Sequence, residues 1–188
     1  MIRGKWMALR NGALPSKLIL TLLGLSMLPM ASALAADNMR FHGALVAEPC
    51  TIAPGTENIE RKFGTIVVKY LYINQRTHGE IFTLPLTECD ISLGNSVKVT
   101  FLGPESTALP GLLALDASSQ AAGIAIGVET LGGKSIPINQ SSNGNQLVQD
   151  NSPIRFIAYV QGEPEAIAQQ SIRLGPFNAM VTFSLEYE

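Results

Sequence analysis

Short runs of alternating apolar and polar residues recur along the chain, separated by Gly, Pro and Asn. Successive side chains of a β-strand point to opposite faces, so this period of two is typical of half-buried strands. Strands are predicted at residues 63–69, 81–86, 97–102, 123–130, 154–160 and in the last run of the chain. No stretch shows a convincing helical stripe, and residues 164–170 are expected to form a single helical turn. Many short strands at this spacing predict an antiparallel sandwich or barrel.

Three of these strands have a clear apolar face that predicts the core. The inward residues are expected to be Phe82, Leu84 and Leu86, then Val97, Val99 and Phe101, then Ile124, Ile126 and Val128. The longest polar stretch, residues 139–153, is predicted to be a loop.

The most regular strand is the last one, in residues 175–188, GPFNAMVTFSLEYE. Its apolar face is formed by Ala179, Val181, Phe183, Leu185 and Tyr187, and Met180 is the only apolar residue between them. The strand ends at Glu188 with no turn and no further strand, which leaves open what pairs with its outer edge.

Residues 1–35 are predicted to be a secretory signal peptide. Four basic residues precede an apolar run at 18–30, and the sequence Ala-Leu-Ala follows at 33–35. A membrane anchor is the alternative, but it would need about 20 apolar residues. The mature chain is expected to begin at Ala36, with either Met1 or Met7 as the true start.

Composition and charge restrict the mature chain further. The 188 residues are 46% hydrophobic and 15% charged, enough for one buried core and a single domain. Nine basic and fifteen acidic residues remain after signal removal, a formal charge of −6. An acidic chain without a basic cluster argues against nucleic acid or an anionic membrane as partner.

The two cysteines, Cys50 and Cys89, predict one disulfide in an oxidising compartment, with two reduced thiols as the alternative. Catalytic motifs are missing from the sequence. GGKS at 132–135 lacks the earlier glycine of a phosphate-binding loop, because position 128 is valine, and it is predicted to be a hairpin turn. Neither His42 nor His78 has a metal-ligand spacing. We therefore expect no cofactor, no metal and no enzymatic activity.

A second strand is predicted at the mature N-terminus. One face carries Met39, Phe41, Gly43 and Leu45, and the other carries Asn38, Arg40 and His42. By its own pattern, this strand is equally consistent with being the first strand of the chain's own sandwich.

Together the two ends resemble the pilin subunits of the chaperone-usher pathway of Gram-negative bacteria. The resemblance extends from the signal peptide to the C-terminus. It depends on Phe41-His42-Gly43, on the two cysteines, on FTLPL at 82–86 before Cys89, and on the ending, where Gly175 is fourteenth from the terminus and Tyr187 is penultimate.

The resemblance implies an all-β fold, an incomplete immunoglobulin-like β-sandwich that lacks its final strand. Residues 36–48 would be an N-terminal donor-strand extension, and residues 49–188 would form the pilin domain. The implied partners are a periplasmic chaperone, an outer-membrane usher and neighbouring pilus subunits, with no insertion into a membrane after signal cleavage. The protein would be exported through the periplasm to a fimbrium on the bacterial surface.

The same resemblance assigns roles to the two terminal strands. Met39, Phe41 and Leu45 would fill pockets in a neighbour, and Gly43 would allow close approach of the backbones. The acceptor strand, which would also bind the chaperone, comprises Gly175, Ala179, Val181, Phe183, Leu185, Tyr187 and Glu188.

A structural role as a minor or adaptor subunit is the favoured interpretation. A rod subunit, an assembly terminator and a receptor-binding tip subunit are alternatives, although two-domain adhesins of this family carry an additional N-terminal lectin domain. A free-standing secreted immunoglobulin-like binding module is the alternative outside the family, and it should contain its own last strand.

Overall fold

The computed structural model describes residues 45 and 47–188, and these are mostly β-structure. The strands are β1 (Thr51–Ile52), β2 (Glu80–Cys89), β3 (Ser96–Leu102), β4 (Ile124–Thr130), β5 (Asn145–Gln146), β6 (Asp150–Gly162) and β7 (Thr182–Tyr187). Two short helices are α1 (Val68–Asn74) and α2 (Pro164–Ala168). In the described residues, no helix is long and apolar enough to cross a membrane.

The strands of the described residues form two antiparallel sheets. One has the order β1-β2-β6-β4 and the other has the order β5-β3-β7. Every strand pair in them is antiparallel. The sandwich expected from the sequence is therefore present. Its strand order pairs elements that are distant in sequence, such as β3 and β7.

The core lies between the two sheets, and three phenylalanines join them. The ring of Phe101 on β3 meets the ring of Phe156 on β6 edge to face, with centroids 5.2 Å apart. Phe82 on β2 contacts both, at 5.9 Å from Phe101 and 5.6 Å from Phe156. Aromatic pairs of this geometry stabilise a core beyond the area they bury. The predicted inward faces of β2, β3 and β4 are all buried, as expected.

The predicted strand at 63–69 is wrong. Residues 63–67 form no strand, and α1 begins at Val68. Val68, Leu71 and Tyr72 pack against the core at the spacing of one helical face, and Leu71 is buried. The β-branched residues Thr65, Ile66 and Val67 favoured a strand in the sequence analysis. The apolar face of the helix that follows them packs on the core instead, and this packing determines the local structure.

Three smaller predictions have mixed outcomes. The helical turn expected near Pro164 is confirmed as α2. The hairpin turn after β4 is also confirmed, since Gly133 N–H donates to the carbonyl of Thr130 at 2.9 Å. The loop predicted at 139–153 is only partly correct, because residues 145–146 pair with β3 and β6 begins at Asp150.

The predicted disulfide between Cys50 and Cys89 is present. It joins the chain just before β1 to the last residue of β2, and β1 pairs with β2 through Thr51 and Thr87. The predicted signal peptide and the donor-strand positions Met39, Phe41 and Gly43 lie outside the described residues. Leu45 is described, and its side chain is fully exposed.

Replacing both Cys50 and Cys89 with serine should lower the free energy of unfolding by roughly 4 kcal/mol, since the bridge closes a loop with a sequence separation of 39. The difference is measured by urea unfolding of the oxidised wild type and of the double variant. Both proteins are bound to the same strand-donating chaperone, so that its contribution to stability is equal. A double variant that unfolds at the wild-type urea concentration would show that the bridge contributes no stability.

Candidate strand-accepting groove

The terminal strand β7 lies at the edge of its sheet. It pairs with β3 in a continuous register from Leu102 and Thr182 to Val97 and Tyr187. The opposite side of β3 is covered by β5 and by a bridge between Thr100 and Ser141. Within residues 47–188, no strand pairs with the other side of β7. Among these described residues, the outer edge of β7 is therefore unpaired.

The hydrogen-bond pattern shows which groups of β7 are unpaired. Ser96 and Glu188 exchange both backbone bonds, at 3.1 and 2.9 Å. Bonded and non-bonded pairs alternate along an antiparallel ladder, so Glu186 and Ser184 also bond to β3. The backbone N–H and C=O groups of Phe183, Leu185 and Tyr187 therefore point away from β3. Such outward groups form a template for another strand.

The inward side chains of this run are only half-buried. The residues concerned are Phe177, Ala179, Val181, Phe183, Leu185 and Tyr187, and they pack against the core without being enclosed by it. By contrast, Val97 and Val99 on the neighbouring strand are completely buried. Since both strands belong to one sheet, the difference reflects what covers them. In the part of the chain that the structure describes, the core is therefore incomplete along β7.

Residues 50–66 form the opposite wall of this incomplete core, and they carry the half-buried residues Ile52, Ile59, Phe63 and Ile66. The Phe63 and Phe177 rings are 6.3 Å apart, and the Tyr187 hydroxyl donates to the carbonyl of Cys50 at 3.3 Å. These contacts show that residues 50–63 lie beside residues 177–187 and that the two segments run in opposite directions. We call the space between 50–66 and 177–187 the groove.

Gly175 fixes the start of the terminal run. Its φ of 145° is a conformation that residues with a Cβ rarely adopt, and a Cβ here would lie 2.6 Å from Cβ of Gln120. The close approach allows Gln120 N–H to donate to the carbonyl of Pro176 at 2.9 Å, and Asn178 N–H to donate to Oγ of Ser119 at 3.0 Å. The first part of the run is thus anchored to the loop at 116–121.

The other end of the run is held by its last two residues. The Glu188 carboxylate pairs with the Lys98 ammonium group, and this hydrogen bond raises the pKa of Lys98. Burial raises the pKa of the Tyr187 phenol, and the charge of Glu48 adds to the effect. The phenol therefore stays protonated and can donate to Cys50 at neutral pH.

The predicted acceptor residues lie on one run, but only part of that run is a strand: Gly175, Ala179 and Val181 precede β7, which begins at Thr182. The structure does not describe the predicted donor residues other than Leu45. Sequence reasoning missed Phe177, although that residue is in phase with the apolar face that begins at Ala179. It also missed the opposite wall, because Ile52, Ile59 and Phe63 have no regular spacing.

The groove presents groups that suit strand pairing. In the described part of the chain, no group of three or more His, Cys, Asp and Glu residues is arranged to hold a metal ion. What the groove presents is a row of backbone donors and acceptors above apolar side chains. A strand with alternating apolar residues would satisfy both.

A family profile with the description "Fimbrial protein" matches residues 39–188. The Major MR/P fimbria protein of Proteus mirabilis (strain HI4320) is 34% identical over 179 residues, which cover 92% of this chain and 98% of the relative. The fimbrial adapter PapK of Escherichia coli is 31% identical over 158 residues, which cover 81% of this chain and 88% of the relative.

Among solved structures, the crystal structure of the P pilus rod subunit PapA matches with a TM-score of 0.65 and 21% sequence identity. The match covers 75% of this chain and 100% of the PapA chain. Similarity at this level concerns the fold, and it confirms the predicted incomplete immunoglobulin-like sandwich.

Backbone amide exchange should alternate along β7. The amides of Phe183, Leu185 and Tyr187 should exchange rapidly, because they point into the groove, whereas those of Ser184 and Glu186 should be protected by β3. Single-residue hydrogen exchange of a chain that lacks residues 36–45, so that no copy can insert its N-terminal segment into another, measures the contrast. Equal protection of all five amides would mean that the outer edge of β7 is already paired.

Proposed function

The chain belongs to the fimbrial protein family of chaperone-usher pilus subunits, and we propose that it polymerises by donor-strand exchange and contributes in this way to bacterial adhesion. The observation that carries the proposal is the open edge of β7 above a half-buried apolar face. Each subunit would accept a strand in its groove and donate its own N-terminal segment, residues 36–48, to a neighbour. Association with other pilus subunits follows from membership of this family.

The donor segment has the pattern that the groove requires. Met39, Phe41 and Leu45 alternate with polar residues, so one face of an extended segment is apolar. At about 25 cal/mol per Å² of apolar area, burying three such side chains stabilises the complex by several kcal/mol. The main-chain ladder adds to this. Gly43, on the same face, would lie where the two backbones approach most closely.

A subunit with an open groove needs protection before assembly. Exposed strand edges with apolar side chains favour aggregation. A periplasmic chaperone would cover the groove by lending a strand, after export has removed residues 1–35. At an outer-membrane usher, the N-terminal segment of the next subunit would replace the chaperone strand. The protein would then reach the cell surface as part of the fimbrium.

The matched relatives are described as a major fimbrial protein and as an adapter, so the similarity concerns the subunit fold that both share. A minor or adaptor position remains a prediction from the sequence. Donor-strand exchange is common to all of these positions, and it is the part of the proposal that the groove supports.

Replacing Gly43 with leucine should block insertion of the donor strand into a neighbour, because the side chain would clash where the backbones meet. The subunit should still fold and bind its chaperone, since the donor strand is not part of its own groove. Incorporation into fimbriae, measured by immunoblotting of sheared surface material, should fall at least tenfold, the ratio that corresponds to about 1.4 kcal/mol.

The matched control introduces the same side chain on the opposite face of the donor strand. His42→Leu should incorporate nearly as well as wild type. If Gly43→Leu incorporates like His42→Leu, then the donor face has been assigned wrongly. If both are lost from the periplasm, then the N-terminal segment is needed for folding rather than for assembly.

A further inference from the structure

An apolar pocket of about 260 Å³ opens next to the groove wall. Phe63 belongs to both, and the pocket is further lined by Ile66, Val67 and Tyr70, with Glu80 at the start of β2. The side chain of Val67 is 63% exposed at its edge. The pocket is therefore apolar and open to solvent. We call the end of the sandwich at which it lies the pocket end.

A second apolar surface lies at the other end, in the loop at residues 90–94. Ile91 and Leu93 are 43% and 54% exposed, although both are large aliphatic residues. Asp90 N–H donates to the carbonyl of Pro49 at 2.8 Å, so the loop packs against the point at which the N-terminal segment leaves the domain. We call this loop the disulfide-end loop, because it follows Cys89.

The two surfaces are separated by the full length of β2. Glu80 begins the strand and lines the pocket, and Cys89 ends the strand beside the loop. Ten residues of a β-strand span about 30 Å. One chain therefore cannot bring its own loop to its own pocket, and contact between them requires two molecules.

The donor segment limits where a neighbour can lie. This step rests on the proposed function. Pro49 is only four positions after Leu45, and this stretch spans at most about 14 Å when extended. A neighbour that holds Leu45 in its groove must therefore lie against the disulfide end of the donating chain, where the exposed Ile91 and Leu93 are found.

Strand direction identifies which end of the neighbour faces this loop. Every strand pair in residues 47–188 is antiparallel, and a donor antiparallel to β7 continues that pattern. Such a donor starts beside Tyr187 and ends beside Phe177. Since Phe177 contacts Phe63 at the pocket, Leu45 would emerge at the pocket end. The loop of the donating chain then meets the pocket of the accepting chain.

The charges at the two ends are complementary. Five carboxylates are exposed around the disulfide end, and the last of them pairs with Lys98: Glu48, Glu88, Asp90, Asp150 and Glu188. The segment that leads into the pocket, residues 61–69, carries three exposed basic residues and no acidic one: Arg61, Lys62 and Lys69. Lys62 pairs with Glu60 at 3.6 Å, and Glu80 lines the pocket, so these three basic and two acidic residues leave one net positive charge at this end. Opposite potentials of this kind favour one orientation of docking.

We propose that the disulfide-end loop of one copy docks, through Ile91 and Leu93, into the apolar pocket beside Val67 of a second copy of this chain. The contact is head to tail, so it does not close on itself and extends along a filament. It adds a surface to the donor strand and fixes the angle between successive subunits.

The test compares polymers of the full mature chain with polymers of three exposed-site variants. Leu93→Ser changes the loop and Val67→Ser changes the pocket, where serine also suits the position before a helix. Leu131→Ser is the control, because Leu131 is 50% exposed in the turn after β4. Dissociation of each polymer in denaturant is followed by light scattering, and thermal unfolding checks that each subunit is folded.

Leu93→Ser and Val67→Ser should each speed dissociation about fivefold, while Leu131→Ser should dissociate like wild type. A chain with both Leu93→Ser and Val67→Ser should dissociate no faster than the faster single variant, because the two side chains would contact each other. Wild-type rates for both single variants, or multiplied effects in the double variant, would overturn the docking contact.

A fifth variant, a deletion, separates this inference from the function on which it rests. Deleting residues 36–45 should abolish the polymers, whatever the state of the loop. If polymers persist after the deletion, then donor-strand exchange itself is contradicted. If the full mature chain forms no polymers, then a second copy is not the occupant of the pocket.

Discussion

The structure depends on one unsatisfied edge. A buried or half-buried backbone group needs a hydrogen-bond partner, and along the outer side of β7 the described residues supply none. The apolar side chains beneath that edge are half-buried, while those of β3 are enclosed. The two deficits coincide because a single strand would remove both. Completion of the fold and association with another molecule are therefore the same event in this account.

Contacts in the rest of the sandwich hold the walls of the groove in place when no strand occupies it. Residues 54–66 are not held by a ladder, since β1 is only two residues long and its pairing with β2 ends at Ala53. The disulfide at Cys50, the hydrogen bond from Tyr187 and the ring contact at Phe63 hold this wall instead. Gly175 sets the start of the other wall by its close approach to Gln120. The groove is thus prepared by covalent and side-chain contacts where backbone pairing is missing.

Much of this arrangement could be predicted from the sequence, because period-two patterns report directly which face of a strand is buried. The faces of β2, β3 and β4 and the apolar face of the terminal strand were predicted in this way, whereas the acceptor role of that strand was implied by the resemblance to pilins. The wall at residues 50–66 was not predicted, since its half-buried residues follow no period and belong to an irregular segment.

Helix α1 was mistaken for a strand because its β-branched start, near Ile66 and Val67, favours strands locally, while its burial is decided by tertiary contacts. The pocket beside Val67 depends on the same irregular segment, so it could not be found from the pattern alone.

The central claim is that the sandwich lacks one strand, which another molecule supplies. The direct measurement compares the mature chain with the same chain carrying a second copy of residues 36–48, joined after Glu188 through a short flexible linker. A linked strand acts at an effective concentration near millimolar, so even modest affinity keeps the groove closed. A linked copy with Met39, Phe41 and Leu45 replaced by serine is the control. Gel filtration and thermal unfolding should show a stable monomer only for the chain with the intact copy, and aggregates or low stability for the other two. If the unmodified chain is already a stable monomer that unfolds cooperatively, and the linked strand changes neither property, then the sandwich is complete and the account is wrong.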